Sequence, residues 1–159
     1  KRQRLHYPGE VHMSLVNNGG LRAPIPQGGI KISTIYELMP FENFLYILEL
    51  DGTQTKAMFD LLAASKRLAI ANSVVLVEND QAAKIFIGGA PFDINKRYRI
   101  AVSDYLANGG GGMEFLKQAQ VIQKVDVKIR DLIIDHIKEL EEEGKLADAK
   151  IEGRVKIIE

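Results

Sequence analysis

Four consecutive glycines, Gly109–Gly112, come soon after the apolar run Tyr98–Ser103, and this pairing constrains the fold more than any other feature. A glycine run costs conformational entropy on folding and buries no side chain. It suits a place where backbone bends tightly or something approaches it closely. The apolar run predicts a strand leaving a core. Between the two, Asp104-Tyr105-Leu106-Ala107-Asn108 sets a flat aromatic face, Tyr105, beside the open backbone. Residues 104–112 therefore read either as a flexible surface loop, with Tyr105 packed on its own backbone, or as one wall of a binding site.

A second loop of the same style bears on that choice. The apolar run Val11–Val16 ends in Asn17-Asn18-Gly19-Gly20-Leu21-Arg22, which puts amides, open backbone N–H groups and a guanidinium within six residues. Arg22 suits a bidentate contact to a phosphate or carboxylate, with Asn17 donating to the same group. The plainer alternative is a turn shaped by its asparagines with Arg22 as a surface charge. Phe41, after Pro40, reads equally as a core residue.

The rest of the chain divides into short elements. Thr34 and Glu37 have capping-box spacing for a short helix that stops before Pro40. Phe44–Leu50 predicts a strand closed by Asp51-Gly52, and Thr53 is the expected cap of a helix with Ala57, Met58, Leu61 and Leu62 on one face. Ser73–Glu78 and Ala82–Ile87 flank Asn79-Asp80-Gln81 as a hairpin, broken afterwards by Gly88-Gly89. A short helix is expected near Met113 and a strand at Gln120–Val125. Asp126 then caps the longest helix, about Val127 to Glu143, whose buried stripe is Val127, Ile129, Leu132, Ile133, Ile137 and Leu140, with Gly144 beyond its end. Ile151–Ile158 closes the chain as a strand broken by Gly153. Strands and helices interleave without a βαβ rhythm, so the expected fold is α+β, with mixed β-sheets covered by helices, in one domain over residues 1–159.

Composition narrows the chemistry. The 159 residues are 46% hydrophobic and 26% charged, and 21 Lys+Arg balance 21 Asp+Glu, which points away from a dedicated nucleic-acid or membrane-surface protein. The basic opening Lys1-Arg2-Gln3-Arg4 reads as solvated. No stretch approaches the ~20 apolar residues of a membrane span, and no secretory signal is read. Without cysteine there is no thiol catalysis, disulfide or thiolate metal site. His6, His12 and His136 have no HExxH spacing and no acidic cluster able to hold two metals. Ser14 and Ser103 lack a nucleophile-elbow context. Neither a catalytic residue nor a metal ligand is expected in this chain, whose chemistry reads as binding.

Taken together, Asn-Asn-Gly-Gly-Leu-Arg (17–22), Met-Pro-Phe-Glu-Asn (39–43), Leu-Asp-Gly-Thr-Gln (50–54) and Asp-Tyr-Leu-Ala-Asn-Gly-Gly (104–110), with the closing Glu-Gly-Arg-Val (152–155), resemble the 5'-nucleotidase C-terminal domain. This is the substrate-binding half of the UDP-sugar hydrolase and ecto-5'-nucleotidase family. The resemblance runs from about Val11 to Ile158. It implies a nucleotide-recognition domain of a phosphohydrolase in nucleotide catabolism. The catalytic centre, with two divalent metals of the Zn, Mn or Mg type, would lie in an N-terminal metallophosphoesterase domain absent from this chain. That partner would belong to the same polypeptide or to a separate chain. Relatives act in the periplasm or outside the cell, and the ligand would be a nucleoside monophosphate or related nucleotide.

By the same resemblance, Arg22 and Asn17 would face the phosphate or ribose, and Phe41 and Tyr105 would sandwich the base. Asn108 would contact the base or pin its loop, while Gly19, Gly20, Gly109 and Gly110 shape the two loops. Tyr105 stands where the family usually has Phe. Gly111 stands where the family motif has an aspartate. No counterpart of the family's opening helix, a source of another anion-binding arginine, is read before Val11, and Arg2 and Arg4 stand too close to the first strand to replace it. These departures leave a second reading: a non-catalytic nucleotide-binding or interaction module with a degenerate site.

Overall fold

A computed structural model describes residues 7–66 and 69–158. The basic opening with Arg2 and Arg4, and His6, lie outside those residues. Two sheets carry the fold. The larger has five strands, β1 (Met13–Val16), β2 (Phe44–Leu50), β3 (Ala69–Ala71), β7 (Tyr98–Ser103) and β8 (Gln120–Lys128), in the order β3-β1-β7-β2-β8. The smaller has four, β4 (Ser73–Glu78), β5 (Gln81–Ile87), β6 (Ala90–Pro91) and β9 (Val155–Ile158), in the order β6-β5-β4-β9. Each sheet contains one parallel pair, β1 with β7 and β4 with β9. The remaining pairings are antiparallel. This is the mixed-sheet α+β architecture that the interleaved elements predict.

Alternation along the central strands separates two apolar layers. Leu48 and Leu50 of β2, Ile100 and Val102 of β7 and Leu15 of β1 face the small sheet and helix α2 (Gly52–Ser65) in the main core. Leu45, Ile47, Ala101 and Val125 face the other way, against Tyr7 and Ile129 and Leu132 of helix α4 (Ile129–Glu142). Phe59, Ile47, Leu48 and Leu50 are fully enclosed. The hairpin between β4 and β5 closes through Asn79 and Asp80, both at positive φ (51° and 59°), the backbone of a two-residue type I′ turn.

Helix starts depart from the sequence expectation at three places. The cap of α2 is Asp51, not Thr53. Its carboxylate accepts from Gln54 N–H at 2.8 Å while Gln54 Oε1 accepts from Asp51 N–H at 3.0 Å, a reciprocal box that a lone threonine hydroxyl cannot match. The buried face of α2 accordingly runs through Thr55, Met58, Phe59, Leu62 and Ala63, leaving Ala57 exposed. Helix α1 (Ile32–Leu38) begins two residues before Thr34, without a side-chain cap, and ends as expected ahead of Pro40. Asp126 caps nothing, because β8 keeps pairing with β2 as far as Lys128 opposite Phe44. In α4 the expected apolar stripe is only half-buried, and Arg130 is the residue fully enclosed.

Candidate functional site

Three sequence-predicted segments emerge at one edge of the central sheet. Strands β1 and β7 are parallel neighbours, so their carboxyl ends release residues 17–22 and 104–112 side by side. Strand β2 runs antiparallel to β7, with Leu45 opposite Ser103, so its amino end brings in residues 41–43 at the same edge. In open α/β sheets the carboxyl ends of parallel strands gather ligand-binding loops, and β1 and β7, the parallel pair of this mixed sheet, place their loops in the same way.

Residues 104–112 are not a slack loop. They form one helical turn, α3 (Asp104–Ala107), and a 3₁₀ turn, Gly110–Gly112, followed by a second 3₁₀ stretch, Glu114–Gln118, where a short helix is expected. Buried Ser103 caps α3, its hydroxyl accepting from Leu106 N–H at 3.2 Å. Asn108 Nδ2 donates to the Asp104 carbonyl at 2.8 Å, so this side chain pins the loop. Tyr105 lies over the glycines: a Cβ on Gly110 would sit 2.5 Å from its ring, closer than real contacts allow. Its hydroxyl accepts from Gly111 N–H at 3.1 Å. The ring is nonetheless 49% exposed. It lines an open depression of about 500 Å³ with Asn43, Asp104, Asn108, Gly109, Gly110 and Glu114.

The second loop meets the first from behind. Asn17 to Gly19 share a smaller cavity of about 150 Å³ with Tyr105, Leu106 and Gly111. A Cβ on Gly111, at φ 65°, would lie 4.0 Å from the Asn17 Cβ. Backbone bonds Gly20 N–H to Asn17 O and Leu21 N–H to Asn18 O set the turn. The side chains of Asn17 and Arg22 have no hydrogen-bond or ion-pair partner among the described residues, and Arg22 is exposed. Phe41 is 50% exposed rather than a core residue. Neither Phe41 nor Arg22 lines the depression, although Asn43, two residues beyond Phe41, does.

Sequence reasoning passed over Asn43 and Glu114 on that rim, and Arg130 beneath residues 39–42. Asn43 stood in the motif 39–43, which was its available signal. Arg130 had none, since it looked like one more charge in Lys128-Ile129-Arg130-Asp131. Lys128 donates to Glu42 at 2.8 Å. That hydrogen bond, with the nearby charges of Lys128 and then Arg130, holds the Glu42 carboxyl below the usual carboxylate range. Among the described residues no group of three or more His, Cys, Asp or Glu side chains could hold a metal ion. His12 is structural, its Nδ1 accepting from Arg99 N–H at 2.9 Å.

The fold is an α+β domain whose candidate site lies where three segments meet at one edge of the central sheet. The chain belongs to the family of 5'-nucleotidase C-terminal domains, whose profile matches residues 3–118. The crystal structure of a 5'-nucleotidase precursor from Thermus thermophilus shares the fold at a TM-score of 0.81, with 27% identity over 93% of this chain. A cell wall protein of Listeria monocytogenes is 24% identical over 91% of the chain, and a 5'-nucleotidase of Vibrio parahaemolyticus 27% over 65%. The chain spans only 20% and 19% of those two relatives and 32% of the Thermus structure.

Proposed function

We propose that this chain is the nucleotide-recognition domain of a 5'-nucleotidase-type phosphohydrolase. Tyr105 and Phe41 hold the base, and Arg22 and Asn17 turn toward the phosphate or ribose. The observation that supports this best is Tyr105 itself, an exposed ring anchored on glycine backbone beside the open depression. A tyrosine packed on the Gly110 backbone and still half exposed is suited to offer its free face to a base, and such stacking is worth ~1–3 kcal/mol per base. Arg22 and Asn17, whose side chains have no partner among the described residues, keep their donors available for an anion. Hydrolysis belongs, in this reading, to a two-metal phosphoesterase domain outside this chain, in the same polypeptide or a separate one, to which the nucleotide's phosphate is presented. The name of one relative, a cell wall protein, favours the cell surface, and the family resemblance favours nucleotide catabolism in the periplasm or outside the cell. Among the described residues no helix is long and apolar enough to cross a membrane.

Titration with AMP tests the reading. Tyr105→Ala and Phe41→Ala should each weaken binding by about 5- to 100-fold, and AMP binding that ignores both substitutions overturns the base slot. Hydrolysis of AMP by this chain alone, with added Mn²⁺ or Zn²⁺, would overturn the division of labour. Gly111 favours a second reading, a non-catalytic nucleotide-binding module, because it supplies no carboxylate beside Asn17. An aspartate there is strained at φ 65°, and its Cβ would lie 3.3 Å from a Leu106 methyl that has to give slightly. A Gly111→Asp variant that gains AMP affinity favours this second reading. No gain favours a site complete as it stands.

A further inference from the structure

Arg130 is the one charged residue fully buried among those described, its side chain 6% exposed. It stands in the first turn of α4, where the helix dipole disfavours a cation, and its Nε has no hydrogen-bond partner among the described residues. Both facts oppose burial, and an apolar side chain of similar volume would often serve stability as well or better. What holds Arg130 is the segment 36–42, which carries Phe41. The Tyr36 ring lies 3.9 Å from the guanidinium carbon. The Met39 and Pro40 carbonyls accept from Nη1 at 3.3 and 3.4 Å, and the Glu42 carboxylate lies 3.6 Å from Nη2.

The same segment is tied from other directions. The Leu38 carbonyl accepts from Arg22 N–H at 2.8 Å, and the Asn43 carbonyl accepts from Ile129 N–H at 2.9 Å. Phe41 is half exposed, so burial does not set its angle. The geometry points to Arg130 as a positioning residue that sets the angle of Phe41 at the sheet edge, two residues before Asn43 of the depression. A planar guanidinium lies on the Tyr36 ring with one nitrogen bonding two carbonyls and the other facing Glu42, an arrangement a lysine ammonium does not reproduce. The assignment rests on Phe41 being a base-stacking ring.

AMP and ribose 5-phosphate share a sugar phosphate and differ by the base, which gives the test its contrast. In the intact protein, Arg130→Met weakens AMP binding about 5- to 10-fold and ribose 5-phosphate binding less than about 2-fold, with the circular dichroism spectrum unchanged. Equal losses for the two ligands, or no loss for AMP, overturn the assignment. Arg130→Lys keeps the charge and covers a methionine variant that fails to fold: the selective AMP loss persists in it, and full recovery of AMP binding overturns the fork. Phe41→Ala tests the underlying reading separately. If it leaves AMP binding untouched, base stacking by Phe41 falls, and hydrogen exchange of the Met39 and Phe41–Asn43 amides decides on Arg130 alone. Faster exchange in Arg130→Met keeps the clamp, and unchanged exchange removes it.

Discussion

The two glycine loops sit side by side at one sheet edge yet are built by opposite rules. Residues 103–111 turn their polar groups on one another: Ser103 caps Leu106, Asn108 holds Asp104, and the Tyr105 hydroxyl takes the Gly111 amide. Residues 17–22 are shaped by backbone bonds alone, and the side chains of Asn17 and Arg22 are left unbonded among the described residues. The first loop spends its hydrogen bonds on rigidity and leaves an aromatic face exposed. The second keeps its donors for something else. A ring fixed in advance loses little freedom on binding, whereas free donors gain a partner only when an anion arrives.

The largest break in this contrast should come from Gly110→Val. A Cβ there collides with the Tyr105 ring, so the ring must leave or the turn must open. Calorimetric unfolding should show a loss of about 2–3 kcal/mol, and AMP affinity should fall as far as in Tyr105→Ala. Retained AMP affinity would show that the ring's placement does not matter. Arg22→Ala should do the reverse. Stability should stay within about 0.5 kcal/mol, as for an exposed residue. AMP binding should lose about 1.5–2 kcal/mol by titration, while adenosine, which lacks the phosphate, should bind unchanged. Ser103→Ala sits between these, costing about 1 kcal/mol of stability through the lost cap. Its AMP affinity should drop only as α3 frays.

How much of this was legible before the structure depended on range. Phe44–Leu50, Ser73–Glu78 and Tyr98–Ser103 have the bounds that their apolar runs and flanking turn residues indicate, because alternation and turn chemistry are local. Helix starts were less legible. Thr34, Thr53 and Asp126 are each plausible caps by type, but Asp51 displaced Thr53 through its reciprocal box, β8 ran on past Asp126, and α1 begins without a side-chain cap. The parallel pairing of β1 with β7 leaves no local mark, although it brings Asn17 beside Gly111. Tyr105 and Asn17 could be named because each stands beside glycines in a turn, and Asn108 because its motif resembles the family's. Arg130 could not, since a buried arginine at a helix start has the pattern of a surface charge, and its partners stand about 90 residues earlier.

Smaller effects sharpen the comparison. Tyr105→Phe removes one exposed hydrogen bond to Gly111 and keeps the stacking face. It should cost about 0.5 kcal/mol of stability and leave the affinity for AMP nearly intact. The visible change should be faster exchange of the Gly111 amide. An affinity loss as large as that of Tyr105→Ala would mean that the hydroxyl, not the ring face, contacts the ligand.

The smallest effect concerns the third segment, which is held neither by glycine packing nor by backbone turns but by charge. The Lys128 hydrogen bond, first, and then the Lys128 and Arg130 charges keep the Glu42 carboxyl below its ordinary range. A carboxyl lowered in the folded state adds stability above its unfolded value, and that contribution disappears as the pH falls through the folded value. Glu42 is exposed, so salt screens the pair and the contribution is slight. An NMR titration of the Glu42 side chain should give a low midpoint that rises in Lys128→Met and in high salt. Amide exchange at Phe41 should quicken only below that midpoint. If the midpoint stays at the ordinary value in the wild-type protein, the ion pair is not formed in solution, and Arg130 alone holds the Phe41 wall.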